Sequence, residues 1–362
     1  MACFLQSRLY KGEISLSRIF IAHDPVTEKQ LAEAAQKLAI AGHHVVRGPK
    51  VIAGVKQVFP PEVYGDYFAT TDVIVVTSRN VCSREVMLAS PRLRAVITPT
   101  IGVDAIDLDA ASELGIIVGH GALPELFLSV AETAVLVFAA LLYRLKETEQ
   151  LLRADIPRPW ASRARMMRGK TIGLIGFGRI GRAVAERLQN WEVNLQTYDP
   201  YIDASSLPSM VASVDLATLL RTSDLVSLHI TLSKETYHLI GEAEIRAMKA
   251  GAFLVNTARG GLVDELALYR ACRDGHLGGV ALDVFETEPL PAESPLRELE
   301  DNVILTPHFL SHACETNEAM PGALLENIRR VLAGDPPLYT KNPGDLAKWK
   351  ARLACLAEQA NK

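Results

Sequence analysis

Apolar positions fall in short runs that alternate with stretches of helical spacing along almost the whole chain. In the first third the runs are Arg18–Ala22, His44–Val46, Asp72–Thr77, Leu93–Thr98 and Ile116–Val118, separated by helical patterns at Glu28–Ala41, Ser83–Ala89 and Asp107–Leu114. A long helical segment from Ser129 to about Arg153 follows. The prolines of Ile156-Pro157-Arg158-Pro159-Trp160 stop it, because proline lacks the N–H a helix interior needs. At Gly169 the strand pattern restarts with Lys170–Ile175, Val193–Tyr198, Met210–Ala212, Leu225–His229, Ala252–Asn256, Val280–Val284 and Val303–Leu305. Helical spacing resumes from about His312 to Ala333, and Leu346, Trp349, Leu353 and Leu356 make the tail an amphipathic helix. Strands alternating with helices in this way predict an α/β fold with parallel sheets.

Length and composition narrow the class. A chain of 362 residues suits two domains. A net charge of −4 gives no electrostatic reason to expect nucleic acid or an anionic membrane surface. The most apolar stretch, Thr133–Tyr143, is about three turns long, bracketed by Glu132 and Arg144, and reads as too short to span a bilayer. A helix apolar on nearly every face is expected to be buried between domains or subunits. Cys3, Cys82, Cys272, Cys314 and Cys355 are scattered and odd in number, the pattern of reduced thiols in a cytoplasmic protein. Arg8, Lys11, Glu13 and Arg18 interrupt any secretory apolar core near the N-terminus, while its Ser and Arg content leaves a transit segment open.

The chemistry begins where Thr171–Ile175 runs into Gly176-Phe177-Gly178-Arg179-Ile180-Gly181 and a helical pattern follows. Gly176 permits the tight turn, Gly178 lets backbone approach a pyrophosphate, and Gly181 lets helix and strand pack closely. The helix N-terminus then offers unpaired N–H groups to phosphate. Asp199 ends the next strand, 18 residues past Gly181, where a carboxylate accepts the adenosine ribose hydroxyls. Pro200 and Tyr201 follow it rather than arginine, so NAD is expected over NADP. Three further segments fall at strand ends: Val255–Gly261, Asp283–Pro289 and Thr306-Pro307-His308. They offer a guanidinium for a carboxylate, an acidic group, and an imidazole able to exchange protons near neutral pH. His312 and Glu315 follow His308 at helical intervals without a further ligand cluster, so no metal site is expected.

In these segments the chain resembles the D-isomer-specific 2-hydroxyacid dehydrogenases. The matching elements are GFGRIG with YDP, SLHITLS, NTARGGLVDE, GVALDVFETEP and LTPH, in the family's order over roughly Arg18 to Pro343. The resemblance implies a Rossmann dinucleotide-binding domain (126–311) inserted into a discontinuous flavodoxin-like substrate domain (1–125 and 312–362), with the cleft between them. Its cofactor is NAD, its substrate a small 2-hydroxy or 2-keto acid, and its assembly a homodimer about the helix 129–153. It implies that Arg259 binds the substrate carboxylate, Glu288 is the acidic partner and His308 the acid/base. A spacing of 29 from Arg259 selects Glu288 over Glu286, which reads as a solvated loop charge. Arg179 and Ile180 then meet the pyrophosphate, and Asp199 with Pro200 the ribose. His229, Thr231, Thr236, Thr257, Ala258 and Asp283 complete the cofactor side. Thr100, Ile101 and Gly102 are the substrate loop.

Departures from the family cluster near the substrate. Thr100 stands at a usual glycine and Ala105 at a usual asparagine. Gly119–Leu126 differs from the family's Asn-Thr-Pro-Gly type, and Phe309-Leu310-Ser311-His312 replaces a small turn. Glu288 argues against formate as substrate, since formate dehydrogenases carry glutamine there. An NAD-sensing, corepressor-like binding protein on the same scaffold is the alternative reading.

Overall fold

The computed structural model describes residues 16–51, 55–158, 164–300 and 302–360. Cys3, most of the N-terminal segment, and Pro159 and Trp160 of the linker lie outside them. The chain divides into two compact units, one running up to Ala122 and resuming at Asn317, the other Leu123–Thr316.

The first unit is built on five parallel strands: β1 (Arg18–Ile21), β2 (His44–Arg47), β3 (Val73–Val75), β4 (Ala95–Ile97) and β5 (Ile117–Gly119). Their order is β2-β1-β3-β4-β5, the flavodoxin-like arrangement. Strands buried on both faces explain why the sequence shows continuous apolar runs rather than alternation. One face packs on Phe59, Phe68, Val86 and Ala110. The other packs on Leu31 and Leu38 of helix Glu28–Ile40, on Leu324, Ile328 and Val331 of helix Cys314–Leu332, and on Trp349 of helix Leu346–Ala360. The tail helix is thus part of this core: Trp349 is fully buried and its Nε1–H donates to the Arg94 carbonyl at 2.9 Å. A two-residue parallel pair, Gln57–Val58 with Asn80–Val81, has no counterpart in the apolar pattern because it is too short to show one.

Seven parallel strands form the second unit: β6 (Thr171–Ile175), β7 (Asn194–Tyr198), β8 (Val211–Ser213), β9 (Leu225–Leu228), β10 (Ala252–Asn256), β11 (Leu277–Leu282) and β12 (Val303–Leu305). Their order, β8-β7-β6-β9-β10-β11-β12, reverses direction between β6 and β9. In open sheets of this kind the ligand crevice lies outside the strand carboxyl ends at that reversal.

The helical segment expected from Ser129 to Arg153 is two helices, Pro124–Leu142 and Leu145–Arg153. Pro124 starts the first, its missing N–H costing nothing there. Arg144 breaks the run by adopting a left-handed conformation at φ 51°, with its guanidinium on Glu147. The first helix therefore has 19 residues, long and apolar enough to cross a membrane by length and composition alone, and the shorter estimate from Thr133–Tyr143 is corrected. Ala131, Ala134, Val137, Phe138, Leu141 and Leu142 on one side are buried in the unit's core beside Ala183, Val184 and Leu188. That packing accounts for much of its apolar character.

Candidate active site

Every segment singled out in the second unit follows a strand at its carboxyl end. The glycine loop follows β6, Asp199 follows β7, His229 β9, Thr257–Arg259 β10, Asp283 β11 and His308 β12. Parallel strands bring these ends to one edge.

The glycine loop meets its steric requirements. Gly176 has φ +93°, and a Cβ there would stand 2.5 Å from Ile230 Cγ2 and 2.7 Å from the His229 carbonyl oxygen. A Cβ on Gly181 would stand 2.3 Å from the Gly176 carbonyl oxygen. Nothing lies within 4 Å of a Cβ at Gly178, so the middle of the loop faces open space at the N-terminus of helix Arg179–Leu188. Asp199 supports this loop: Oδ2 accepts the Phe177 N–H at 2.9 Å and Oδ1 the Tyr201 N–H at 3.0 Å. Arg179 and Pro200 are exposed, and Ile180 is partly buried.

Two buried polar atoms sit at the adjoining strand ends without a partner among the described residues, His229 Nε2 and Thr257 Oγ1. Burial pushes the His229 imidazole down to about 4, so it is a neutral hydrogen-bonding group at working pH. Orphaned buried polar atoms are rare and call for a ligand or water. Beside an open, Cβ-free phosphate cradle they fit a dinucleotide. Thr231 and Thr236 belong to a loop closed on itself, the Thr236 hydroxyl donating to the Thr231 carbonyl at 2.9 Å and accepting the Ser233 N–H at 2.7 Å.

The turn after β10 is shaped by Asn256, which is buried. Its Oδ1 accepts the Ala258 N–H at 3.0 Å and its Nδ2 donates to the Arg259 carbonyl at 2.8 Å. Arg259 is extended, and its Nη1 donates to the Ala258 carbonyl at 2.6 Å. Gly260 is obligatory here: a Cβ would lie 1.9 Å from the Phe285 carbonyl carbon. The turn bearing Arg259 is thereby pressed onto the segment bearing Glu288.

Glu288 and His308 are in contact, His308 Nδ1 lying 2.8 Å from Glu288 Oε2, with both side chains about one-third exposed. Glu288 Oε1 accepts the Phe285 N–H at 3.2 Å. Burial works to raise the Glu288 carboxyl. The His308 hydrogen bond and charge, the Phe285 N–H and the Arg259 charge outweigh it and hold the group below the ordinary carboxylate range. His308 has φ 53°, a left-handed conformation that holds its ring at the turn.

Asp283, almost fully buried, is committed to that turn. Its Oδ1 accepts the Thr306 hydroxyl at 2.7 Å and the Phe309 N–H at 2.9 Å, and its Oδ2 accepts the Leu310 N–H at 3.3 Å. Asp283, expected from the sequence on the cofactor side, also supports the His308 loop. Glu286 pairs with His238 Nε2 at 3.1 Å rather than with His308. Thr100, Ile101 and Gly102 lie in the first unit after β4, with Thr100 Oγ1 3.0 Å from Thr98 Oγ1. Among the described residues no three His, Cys, Asp or Glu side chains form a metal-binding group.

Fold and strand edge together define a dinucleotide-dependent oxidoreductase. The family model for the D-isomer specific 2-hydroxyacid dehydrogenase, NAD binding domain, matches residues 135–309. The chain is 42% identical over 261 residues to a glyoxylate reductase of Thermofilum pendens, covering 70% of this chain and 76% of that one. It is 40% identical over 268 residues to a D-3-phosphoglycerate dehydrogenase of Methanocaldococcus jannaschii, covering 73% of this chain but only 50% of that relative's length. A D-lactate dehydrogenase from Aquifex aeolicus, solved with NAD and lactic acid, matches with TM-score 0.76 and 30% identity over 88% of this chain and 96% of that one. The chain belongs to the D-isomer-specific 2-hydroxyacid dehydrogenase family, and its cofactor is NAD.

Proposed function

We propose that the protein interconverts a small D-2-hydroxy acid and its 2-keto acid, with His308 as acid/base, Glu288 as its partner and Arg259 binding the substrate carboxylate. The 2.8 Å contact between His308 and Glu288, on the strand edge that carries the glycine loop, is the observation that carries this reading. NAD bound at this edge supplies the hydride acceptor for oxidation, and NADH the donor for reduction. With Nδ1 engaged by Glu288, the other ring nitrogen of His308 takes the hydroxyl proton in oxidation and returns it to the ketone oxygen in reduction. Ionised Glu288 orients the ring and stabilises its charged form. The planar Arg259 guanidinium matches a carboxylate with two parallel hydrogen bonds.

On the cofactor side, the Gly178–Gly181 helix start with Arg179 and Ile180 receives the pyrophosphate, and Asp199 beside Pro200 the adenosine ribose. His229 Nε2, Thr257 Oγ1 and the Thr231, Thr236 and Ala258 backbone serve the remainder. The names of the relatives support a dehydrogenase over an NAD-sensing binding protein. Exposed apolar side chains at Leu136, Tyr143, Leu145 and Leu152 support a homodimer. The test is a spectrophotometric screen of NADH oxidation with glyoxylate, hydroxypyruvate and pyruvate. Turnover of at least one is expected, and silence across the panel overturns the reading.

A further inference from the structure

The loop that presents Glu288 is held by a second pair of carboxylates. The Glu286 N–H donates to Glu265 Oε1 at 2.6 Å, and in return the Glu265 N–H donates to Glu286 Oε1 at 3.2 Å. Glu265 is the first residue of helix Glu265–Arg273, whose start is fixed by Asp264 accepting the Leu266 and Ala267 N–H groups, each at 3.0 Å. The peptide next to this clamp carries the Phe285 N–H that orients Glu288 Oε1. On its other side the same backbone meets Gly260 with no room for a Cβ. The segment is therefore fixed from a helix end and from the Arg259 turn. Glu286 is held away from His308 by His238 Nε2 and by the Tyr237 hydroxyl at 3.5 Å, the two rings stacked 4.0 Å apart.

This arrangement is electrostatically unfavourable in itself. Burial raises the Glu265 carboxyl above the ordinary range; the Glu286 N–H opposes, the charges of Glu286 and Glu288 add, and His238 opposes. The helix N-terminus offsets part of the repulsion. Perturbed carboxyls of this kind cluster at functional sites. We infer that Glu265 and Glu286 are positioning residues for the proton-transfer pair, their reciprocal hydrogen bonds clamping the Phe285–Glu288 segment so that Glu288 stays against His308. This inference rests on the proposed role of that pair.

The test reads the His308 ring directly, so it needs no substrate. Histidine ring NMR signals, with His308 assigned through His308→Ala, are followed against pH in wild type, Glu288→Gln, Glu265→Ala and Glu265→Gln. Glu288→Gln is expected to move the His308 midpoint to lower pH. Glu265→Ala is expected to move it the same way by about 0.5 unit, the scale of one weakened hydrogen bond. Glu265→Gln, which keeps the acceptor oxygen and loses the charge, should restore most of that shift. NADH binding within about twofold of wild type reports an intact fold, since an oriented cofactor site does not survive global disruption. Should the alanine variant not fold, Glu286→Ala removes the other half of the clamp and decides by the same shift. An unmoved midpoint in Glu265→Ala, with Glu288→Gln shifted, overturns the clamp alone, as does a glutamine variant as displaced as the alanine. An unmoved midpoint in Glu288→Gln overturns the pair and the clamp with it.

Discussion

Arg259 is extended at the end of β10, close enough for its charge to lower Glu288, and its turn is held by Asn256. A guanidinium so placed acts through geometry as well as charge, so Arg259→Lys is expected to fail despite conserving the charge. Loss of a bidentate carboxylate contact removes about 2–4 kcal/mol of transition-state binding, roughly 30- to 1000-fold in kcat/KM. Activity within about threefold of wild type would remove Arg259 from the substrate site. Asp199 bears on the choice of cofactor. Both its oxygens are pinned by backbone N–H groups beside the glycine loop, and on the proposed ribose contact this carboxylate would face a 2′-phosphate. At least about a tenfold preference for NADH over NADPH in kcat/KM is expected from such like-charge juxtaposition. Equal values for the two cofactors would contradict it. Single residues were legible where their need is local. Gly176 and Gly181 answer steric demands set by their own neighbours, and family spacing separated Glu288 from Glu286. Asp283 was not legible in its supporting part, because the groups it accepts from lie 23 to 27 residues away.

At the level of elements, apolar runs located all seven strands of the second sheet, the central ones because they are buried on both faces and so read as continuous apolar runs. Boundaries moved where the deciding contact is not apolar. The left-handed break at Arg144 involves neither glycine nor proline, so nothing in the apolar spacing marks it. The Glu265–Glu286 clamp joins residues 21 apart whose partners are backbone atoms, and no pattern of side chains announces it. The packing of two elements through Gly260 makes a sharp prediction. A methyl group at this position meets backbone that cannot rotate away, so Gly260→Ala should destabilise the protein on the order of 1–3 kcal/mol and lower Tm accordingly. It should also reduce kcat, because the shift separates the Arg259 turn from the Glu288 segment. Wild-type Tm and kcat in that variant would show that the two elements are not packed as described.

For the whole molecule, helices Pro124–Leu142 and Leu145–Arg153 carry exposed apolar residues, Leu152 being 81% exposed, that the proposed homodimer would cover. Glutamate at Leu145 and Leu152 together should shift the protein from dimer to monomer in light scattering, since charge in an apolar interface is costly. A wild-type monomer, or an unchanged dimer in the double variant, would place the interface elsewhere or nowhere. Glu288 is held below the ordinary carboxylate range, so it stays ionised throughout the neutral range and lends its charge to the protonated His308. With His308 in the proposed acid/base role, reduction needs the protonated ring and oxidation the neutral one, so with rising pH the reductive rate should fall while the oxidative rate gains. The direct measurement is the pH profile of kcat/KM in both directions for wild type and Glu288→Gln, on whichever keto acid the screen selects. Removing the charge is expected to move the reductive limb to lower pH, with the oxidative limb following it. Superimposable limbs for the two proteins would contradict the pairing of Glu288 with His308.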